Sequence, residues 1–209
     1  MQKNLTSKGP CSIFYDSTSV GLLKLEVKNA HICALKFVSS KDTPSYPLIK
    51  EPSELTSETT LMESPTQGNI PSESSLETKA ANQAVALLAF AQIKAYLLGQ
   101  RKTFDLPIEP SGTSFQKKIW NVIRSIPYGE TKSYKEVAIL AGQEKAARAV
   151  GFAAHRNPIL LIIPCHRVIG TNGKLVGYAE GLAKKATFLA LEQPQNTTSL
   201  FWELDGIKG

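Results

Sequence analysis

Ser133-Tyr-Lys-Glu-Val-Ala-Ile-Leu-Ala-Gly142, continuing through Gln143-Glu-Lys-Ala-Ala-Arg-Ala-Val-Gly-Phe-Ala-Ala154, is the stretch on which the fold turns. Ser133 at an N-cap with Glu136 at the third helical position makes a capping box, two orphan backbone donors satisfied reciprocally. The helix it opens carries Val137, Ala138, Ile139 and Leu140 and stops at Gly142. A second helix runs from about Glu144 to Ala154. Two short helices around a glycine turn form a helix-turn-helix unit.

Downstream, Ile159-Leu-Leu-Ile-Ile163 is an unbroken apolar run that reads as a buried strand or core segment. It delivers Pro164-Cys165-His166-Arg167, so a thiol, an imidazole and a guanidinium leave the interior together. Residues 168–176 contain Asn172-Gly173, the strongest short hairpin signal, and predict a wing beside the helix pair. A final helix covers Gly181 to Glu192. Upstream, Phe115 to Ser125 is a helix with Phe115, Ile119, Val122 and Ile123 on one face.

Further back, residues 104–112 look like a linker, and residues 81–98 form an Ala/Leu-rich helix closed by Gly99. Residues 39–79 are dominated by Ser, Thr, Pro and Glu and read as a mostly disordered insertion, unable to bury enough apolar surface to offset its ordering entropy. Residues 11–38 alternate apolar and polar as three strands, Ser12–Tyr15, Gly21–Val27 and His31–Val38, in an antiparallel meander turning at Lys28-Asn29-Ala30. The expected class is α+β. An N-terminal domain, 1–108, has a small sheet and a covering helix; a C-terminal domain, 109–209, has the winged helix-turn-helix.

The chain is 42% hydrophobic and 20% charged, ordinary for a globular protein. No apolar segment is long enough to span a bilayer, and the first residues lack a signal-peptide core. A cytoplasmic protein follows, or a nuclear one in a eukaryote. Three scattered cysteines, Cys11, Cys33 and Cys165, fit a reducing compartment better than a disulfide framework. Cys11, His31 and Cys33 supply only three zinc ligands without a tight pair, so no metal is expected. The net charge is +6, but residues 39–79 carry −4, leaving +10 on the rest. A basic body suits a polyanionic partner, nucleic acid first.

The second helix, Ala146-Ala-Arg-Ala-Val-Gly-Phe-Ala-Ala154, is unusual for major-groove reading, where polar side chains reach base edges. It fits a plain packing helix, or a slim helix in the minor groove with one inserted cation, Arg148. Arg148 could equally pair with Glu144 on the same face. Cys165 and His166 are adjacent, so on an extended segment they diverge; cooperation requires a turned backbone or a bridging water. Glu192, among Phe188, Leu189 and Leu191, is the carboxylate available to orient His166.

These residues resemble the O6-alkylguanine-DNA alkyltransferases, or methylated-DNA–protein-cysteine methyltransferases. The likeness runs from Gly112 to Glu192: Gly112-Thr-Ser-Phe-Gln116, Ile126-Pro-Tyr-Gly-Glu-Thr131, Ser133-Tyr134, Ala146-Ala-Arg-Ala-Val-Gly151, Asn157-Pro158, Pro164-Cys-His-Arg-Val168 and Gly177-Tyr-Ala179. It implies direct-reversal DNA repair: one irreversible transfer of the alkyl group from O6-alkylguanine, or O4-alkylthymine, to Cys165. His166 would take the thiol proton through water, Glu192 would hold the imidazole, and Tyr134 would protonate the purine. Asn157 would brace the active-site turn. Arg148, Ala147, Gly151, Thr113, Gln116 and Ser133 would meet the DNA, with Arg148 filling the space of a flipped base. Tyr178, Ala179 and Val168 would line the pocket.

The implied partner is double-stranded DNA bound through the minor groove by a monomer, with no membrane and no cofactor. Three features depart from the family pattern: Glu180 where a glycine is common, Phe188 for a tryptophan, and Ala190 where a histidine often stands. Glu180 puts the tolerance for bulky alkyl groups in question. The competing readings are a non-catalytic winged-helix lesion sensor or regulator, and a cysteine hydrolase, which would turn over.

Overall fold

The computed structural model describes residues 11–38 and 73–193. Three strands, β1 (Cys11–Thr18), β2 (Gly21–Lys28) and β3 (His31–Phe37), form the antiparallel meander in the order β1-β2-β3. The β2–β3 turn places both Asn29 (φ 49°) and Ala30 (φ 58°) in the left-handed region, the twist-compatible geometry of a two-residue hairpin. Alanine is costly there, and the turn is held from outside. Asn82 on the covering helix accepts the Ala30 N–H at 2.8 Å and donates to Ser12 Oγ at 3.0 Å.

That helix, α1, spans Glu73–Leu97 and buries Ala86, Ala89, Phe90, Ile93 and Tyr96. It begins earlier than the sequence suggested: residues 73–79 belong to it, not to the insertion. The charges there sit on the first two turns of a helix whose later turns are well anchored. The expectation for residues 39–72 lies outside the described residues.

The stretch 104–112 is not a free linker. It runs as a strap along β3, with Ile32 N–H donating to Pro107 O and Glu109 N–H to Ile32 O, both at 2.9 Å. Gln92 grips Asp105 through both backbone groups, and Leu106 is buried. One continuous apolar cluster therefore reaches from Leu25 on the sheet to Phe188 near the C-terminal end.

Helix α2 (Ser114–Arg124) starts with a second capping box, Thr113 with Gln116. It buries Ile119, Trp120 and Ile123, and the Trp120 indole donates to Ala153 O at 2.8 Å, pinning a neighbouring helix. Gly112 is required beneath that ring, because a Cβ there would lie 2.5 Å from it. The two-residue strand β4 (Lys132–Ser133) leads into α3 (Tyr134–Leu140), capped by Ser133 and Glu136 as expected. Gly142 at φ 63° reverses the chain into α4 (Ala147–His155). This helix starts three residues later than expected, since Ala146 offers no side-chain cap.

The wing differs from expectation. Residues 168–176 do not form a hairpin; β5 (Val168–Ile169) pairs in parallel with β4. The Asn172-Gly173 turn is closed by Gly170 N–H on Lys174 O at 2.9 Å. The last helix, α5 (Leu182–Glu192), follows Gly181 and buries Lys185, Ala186, Phe188, Leu189 and Glu192.

Candidate active site

The apolar run 159–163 is core, as read, but it is not a strand. It makes a single bridge to β3, Leu35 N–H to Pro158 O at 2.9 Å and Leu160 N–H to Leu35 O at 3.0 Å. It then coils, with buried Leu161 at φ 67° and Ile163 N–H closing onto Ile159 O. Continuous apolarity reflects burial on all sides, which a tight loop under a sheet satisfies as well as a strand does. The coil delivers Cys165–Arg167 as one 3-10 turn, so the backbone does bend where Cys165 and His166 needed it to.

Asn157 holds this segment. Its amide donates to Ile163 O at 2.7 Å and lies 3.1 Å from Cys165 Sγ, while its carbonyl receives Ile159 N–H at 3.0 Å. Cys165 is 4% exposed. Burial pushes the thiol up to about 11; the Asn157 amide and the Lys185 charge oppose that rise without cancelling it. The resting group is therefore a neutral thiol that needs a base.

His166 is fully buried, with Nε2 2.9 Å from Glu192 Oε1. Burial moves the imidazole below its usual range, although Glu192 pulls the other way. Burial would raise Glu192, but hydrogen bonds from His166 and Arg167, with their charges, hold it at about 2. Arg167 supplies the permanent charge, so the resting cluster is a Glu192 anion, an Arg167 cation and a neutral imidazole. A carboxylate only accepts, which assigns the Nε2 proton to the shared bond and leaves Nδ1 as a lone pair. Nδ1 is buried and has no hydrogen-bond partner among the described residues.

Several members of this cluster carried no role in the sequence reading. Arg167 binds Glu192 through Nε and Nη2, each at 2.9 Å, and sends Nη1 to Ile126 O at 2.6 Å. Tyr96 Oη donates to Glu192 Oε1 at 2.6 Å, and Gly129 N–H reaches Oε2 at 3.1 Å. Tyr96 was visible only as one of the apolar positions of α1; that its hydroxyl crosses to α5 depends on the tertiary fold. Lys185 is the other omission. Its spacing from Leu182, Phe188 and Leu189 puts it on the buried face of α5, and that spacing was the available signal.

Tyr134 stands at the start of α3 with Oη 3.0 Å from Val176 O and 3.1 Å from Gly177 O. Burial, and a negative charge at Cys165, push it up to about 12, so it is a proton-bearing donor at neutral pH. Tyr178 is buried with an unpartnered hydroxyl, and burial with charge at Cys165 and Glu180 raises its pKa. Val168 is fully buried and Ala179 is exposed. Glu180 pairs with Lys184 at 3.8 Å, and Lys184 caps the Phe37 ring at 3.7 Å.

The expected DNA-facing residues divide. Arg148 is exposed, and no ion pair joins it to Glu144 among the described residues; Ala147 is half-buried. A Cβ at Gly151 would touch the Tyr134 ring at 3.8 Å, so that glycine faces α3. Thr113 and Gln116 bond each other at the tip of α2, and Ser133 is buried with its hydroxyl on Glu136 at 2.7 Å. A shallow apolar hollow of about 350 Å³ lies between α2 and α4, lined by Thr113, Gln116, Ala149, exposed Phe152 and Arg156. Among the described residues no group of three His, Cys, Asp or Glu can hold a metal ion, and no helix is long and apolar enough to cross a membrane.

Residues 114–194 match the model of the 6-O-methylguanine DNA methyltransferase DNA-binding domain. Over 104 residues the chain is 56% identical to a methylated-DNA–protein-cysteine methyltransferase of Methanosarcina acetivorans, covering 50% of this chain and 67% of that one. Over 112 residues it is 50% identical to the Mycobacterium leprae protein of the same name, covering 54% of this chain and 68% of that one. The crystal structure of Mycobacterium tuberculosis O6-methylguanine methyltransferase superposes with a TM-score of 0.64 at 32% identity, covering 88% of this chain and 94% of that one. The Mycobacterium tuberculosis OGT in complex with DNA matches equally well, at TM-score 0.64 and 32% identity, over 91% of this chain and 99% of that one.

Proposed function

Because this chain belongs to the family of methylated-DNA–protein-cysteine methyltransferases, we propose that it repairs alkylated DNA by one irreversible transfer from O6-alkylguanine to Cys165. The observation that carries the reading is the 3-10 turn at Cys165, which sets a neutral thiol beside the His166–Glu192 pair with one imidazole lone pair unspent.

The steps follow from the groups present. Nδ1 of His166 takes the thiol proton through a bridging water, and Glu192 stabilises the imidazolium that forms. The Asn157 amide donates to the developing thiolate. The sulfur attacks the alkyl carbon, a C–S bond forms, and the carbon–oxygen bond breaks with its electron pair passing into the purine. Tyr134 donates its proton to a purine ring nitrogen, so that neutral guanine leaves. The phenolate and the imidazolium then exchange a proton through solvent, and both residues return to neutral. A thioether is stable, which makes each molecule a single-use reagent. O4-alkylthymine, with the same alkyl-on-oxygen chemistry, is a second substrate.

A base inside a duplex cannot reach a thiol that is 4% exposed, so the target nucleotide must leave the stack. We assign minor-groove entry to α4, whose small residues allow close approach, with Arg148 filling the vacated space. Ala147, Thr113 and Gln116 face the backbone; Gly151 and Ser133 act by setting α3 against α4. Tyr178, Val168 and Ala179 border the base. One chain supplies every group, so the protein acts as a monomer, in the reducing cytoplasm that a free thiol favours.

Peptide mapping after incubation with duplex DNA carrying O6-methylguanine tests this. The expected result is one added methylene on the Cys165 peptide. An unmodified Cys165 in protein that still binds the duplex would replace this reading with that of a lesion sensor.

A further inference from the structure

Lys185 has no part in the reaction described above, yet it is fully buried. Its ammonium donates to three backbone carbonyls, Val168 O at 2.5 Å, Val176 O at 2.7 Å and Gly177 O at 3.3 Å. Two of these are the acceptors of the Tyr134 hydroxyl, at 3.0 and 3.1 Å. The contact is close from the backbone side as well: a Cβ at Gly177, itself at φ 56°, would lie 3.0 Å from Tyr134 Oη. Lysine and tyrosine thus approach the same pair of carbonyls, with Nζ 5.8 Å from the tyrosine ring centre.

That arrangement matters because Tyr134 holds a single proton. To donate to the base, its hydroxyl must let go of Val176 and Gly177. Such a departure takes one of two protein donors from each of these carbonyls, which belong to exposed residues. Here neither carbonyl is stranded, because an ammonium has three protons for three acceptors.

Resting on the alkyl-transfer reading, we propose that Lys185 is a positioning residue: by occupying the Val176 and Gly177 carbonyls it releases the Tyr134 hydroxyl to turn towards the extruded base. The lysine acts through tyrosine at the proton-donating step, beyond the help its charge gives the Cys165 thiolate. A leaving group that needs no proton gains only that help.

The test is a double-mutant cycle in full-length protein, with single-turnover transfer from duplex DNA carrying O6-methylguanine, and folding checked by circular dichroism. Lys185→Met slows transfer about 10-fold when Tyr134 is present, the scale of one hydrogen bond's net contribution. In the Tyr134→Phe background the same change costs less than about threefold, because the group it serves is gone. Reaction of Cys165 with iodoacetamide, whose iodide leaves unprotonated, stays within about threefold of wild type. Lys185→Arg, which keeps a cation and its donors, retains most of the rate.

Equal losses in both backgrounds would make Lys185 a structural staple and overturn the proposal. A matching loss with iodoacetamide would overturn it in favour of a charge acting on the thiolate. Should Lys185→Met fail to fold, Lys185→Gln enters the same cycle with the same outcomes. The wild-type control separates the two levels: an unalkylated wild-type Cys165 refutes the repair reading, whereas an alkylated one with an additive cycle refutes only the role of Lys185.

Discussion

Replacing Glu192 with glutamine removes one charge and exchanges one acceptor for a donor, in a place with no room for either change. Oε1 receives Tyr96 Oη at 2.6 Å, His166 Nε2 at 2.9 Å and Arg167 Nη2 at 2.9 Å; Oε2 receives Arg167 Nε at 2.9 Å and Gly129 N–H at 3.1 Å. Whichever way the amide turns, its NH2 confronts at least two donors. Arg167, 6% exposed, also loses its counter-ion, and breaking a buried pair costs about 3–5 kcal/mol.

The pH dependence gives an independent handle on the same number. The Glu192 carboxyl is held at about 2 against an ordinary 4.5. A folded-state value below the unfolded one means stabilisation that is fully present above the unfolded value and lost as pH falls through the folded one. That displacement is worth about 3 kcal/mol. Urea unfolding followed by tryptophan fluorescence should therefore show Glu192→Gln about 3–5 kcal/mol less stable than wild type near neutral pH. The gap should narrow as acid takes the wild type towards its own protonated carboxyl. A gap below about 1 kcal/mol at neutral pH, or one that ignores pH, would refute the ionised cluster.

Asn157→Ala strands Ile159 N–H in the core, while Ile163 O keeps the Cys165 N–H at 2.8 Å, and should cost about 1–3 kcal/mol. It should also slow iodoacetamide at Cys165, since the amide that helps the thiolate is gone; an unchanged rate would separate Asn157 from the thiol. Arg148→Ala should depress repair in duplex DNA far more than reaction with the free alkylated base, and equal losses would remove its part in opening the duplex. Transfer should stay flat as pH falls through 6.5, because burial keeps His166 neutral below that ordinary value. A fall centred at or above 6.5 would mean that a different group takes the proton.

Much of this was legible because local physics and tertiary structure agree. The Ser133 and Glu136 cap, the Gly142 stop and the alternating strands 11–37 each follow from one residue doing one thing. Reading failed where burial erased the pattern. The run 159–163 is apolar on every side, so periodicity could not distinguish a coil with Leu161 at φ 67° from a strand. Asn172-Gly173 made its turn, but the flanking residues took other partners, β5 joining β4 and Val176 O turning to Tyr134 and Lys185. The start of α1 was hidden because Glu73 and Glu77 look like the acidic segment before them.

The site was legible as types in order: thiol, imidazole, carboxylate, tyrosine, asparagine. What joins them was not, since Tyr96 lies 96 residues from Glu192 and Arg167 lies 25 from it. Glu180 shows the converse: its sequence position raised the question of pocket size, and its carboxylate is tied to Lys184.

Titration of the protein with a molar excess of duplex DNA carrying labelled O6-methylguanine measures the central claim directly. The account predicts that label transfer stops at one methyl group per protein molecule, all of it on Cys165, and that fresh DNA restores nothing. Continued transfer beyond one equivalent, or label on any other residue, would contradict it.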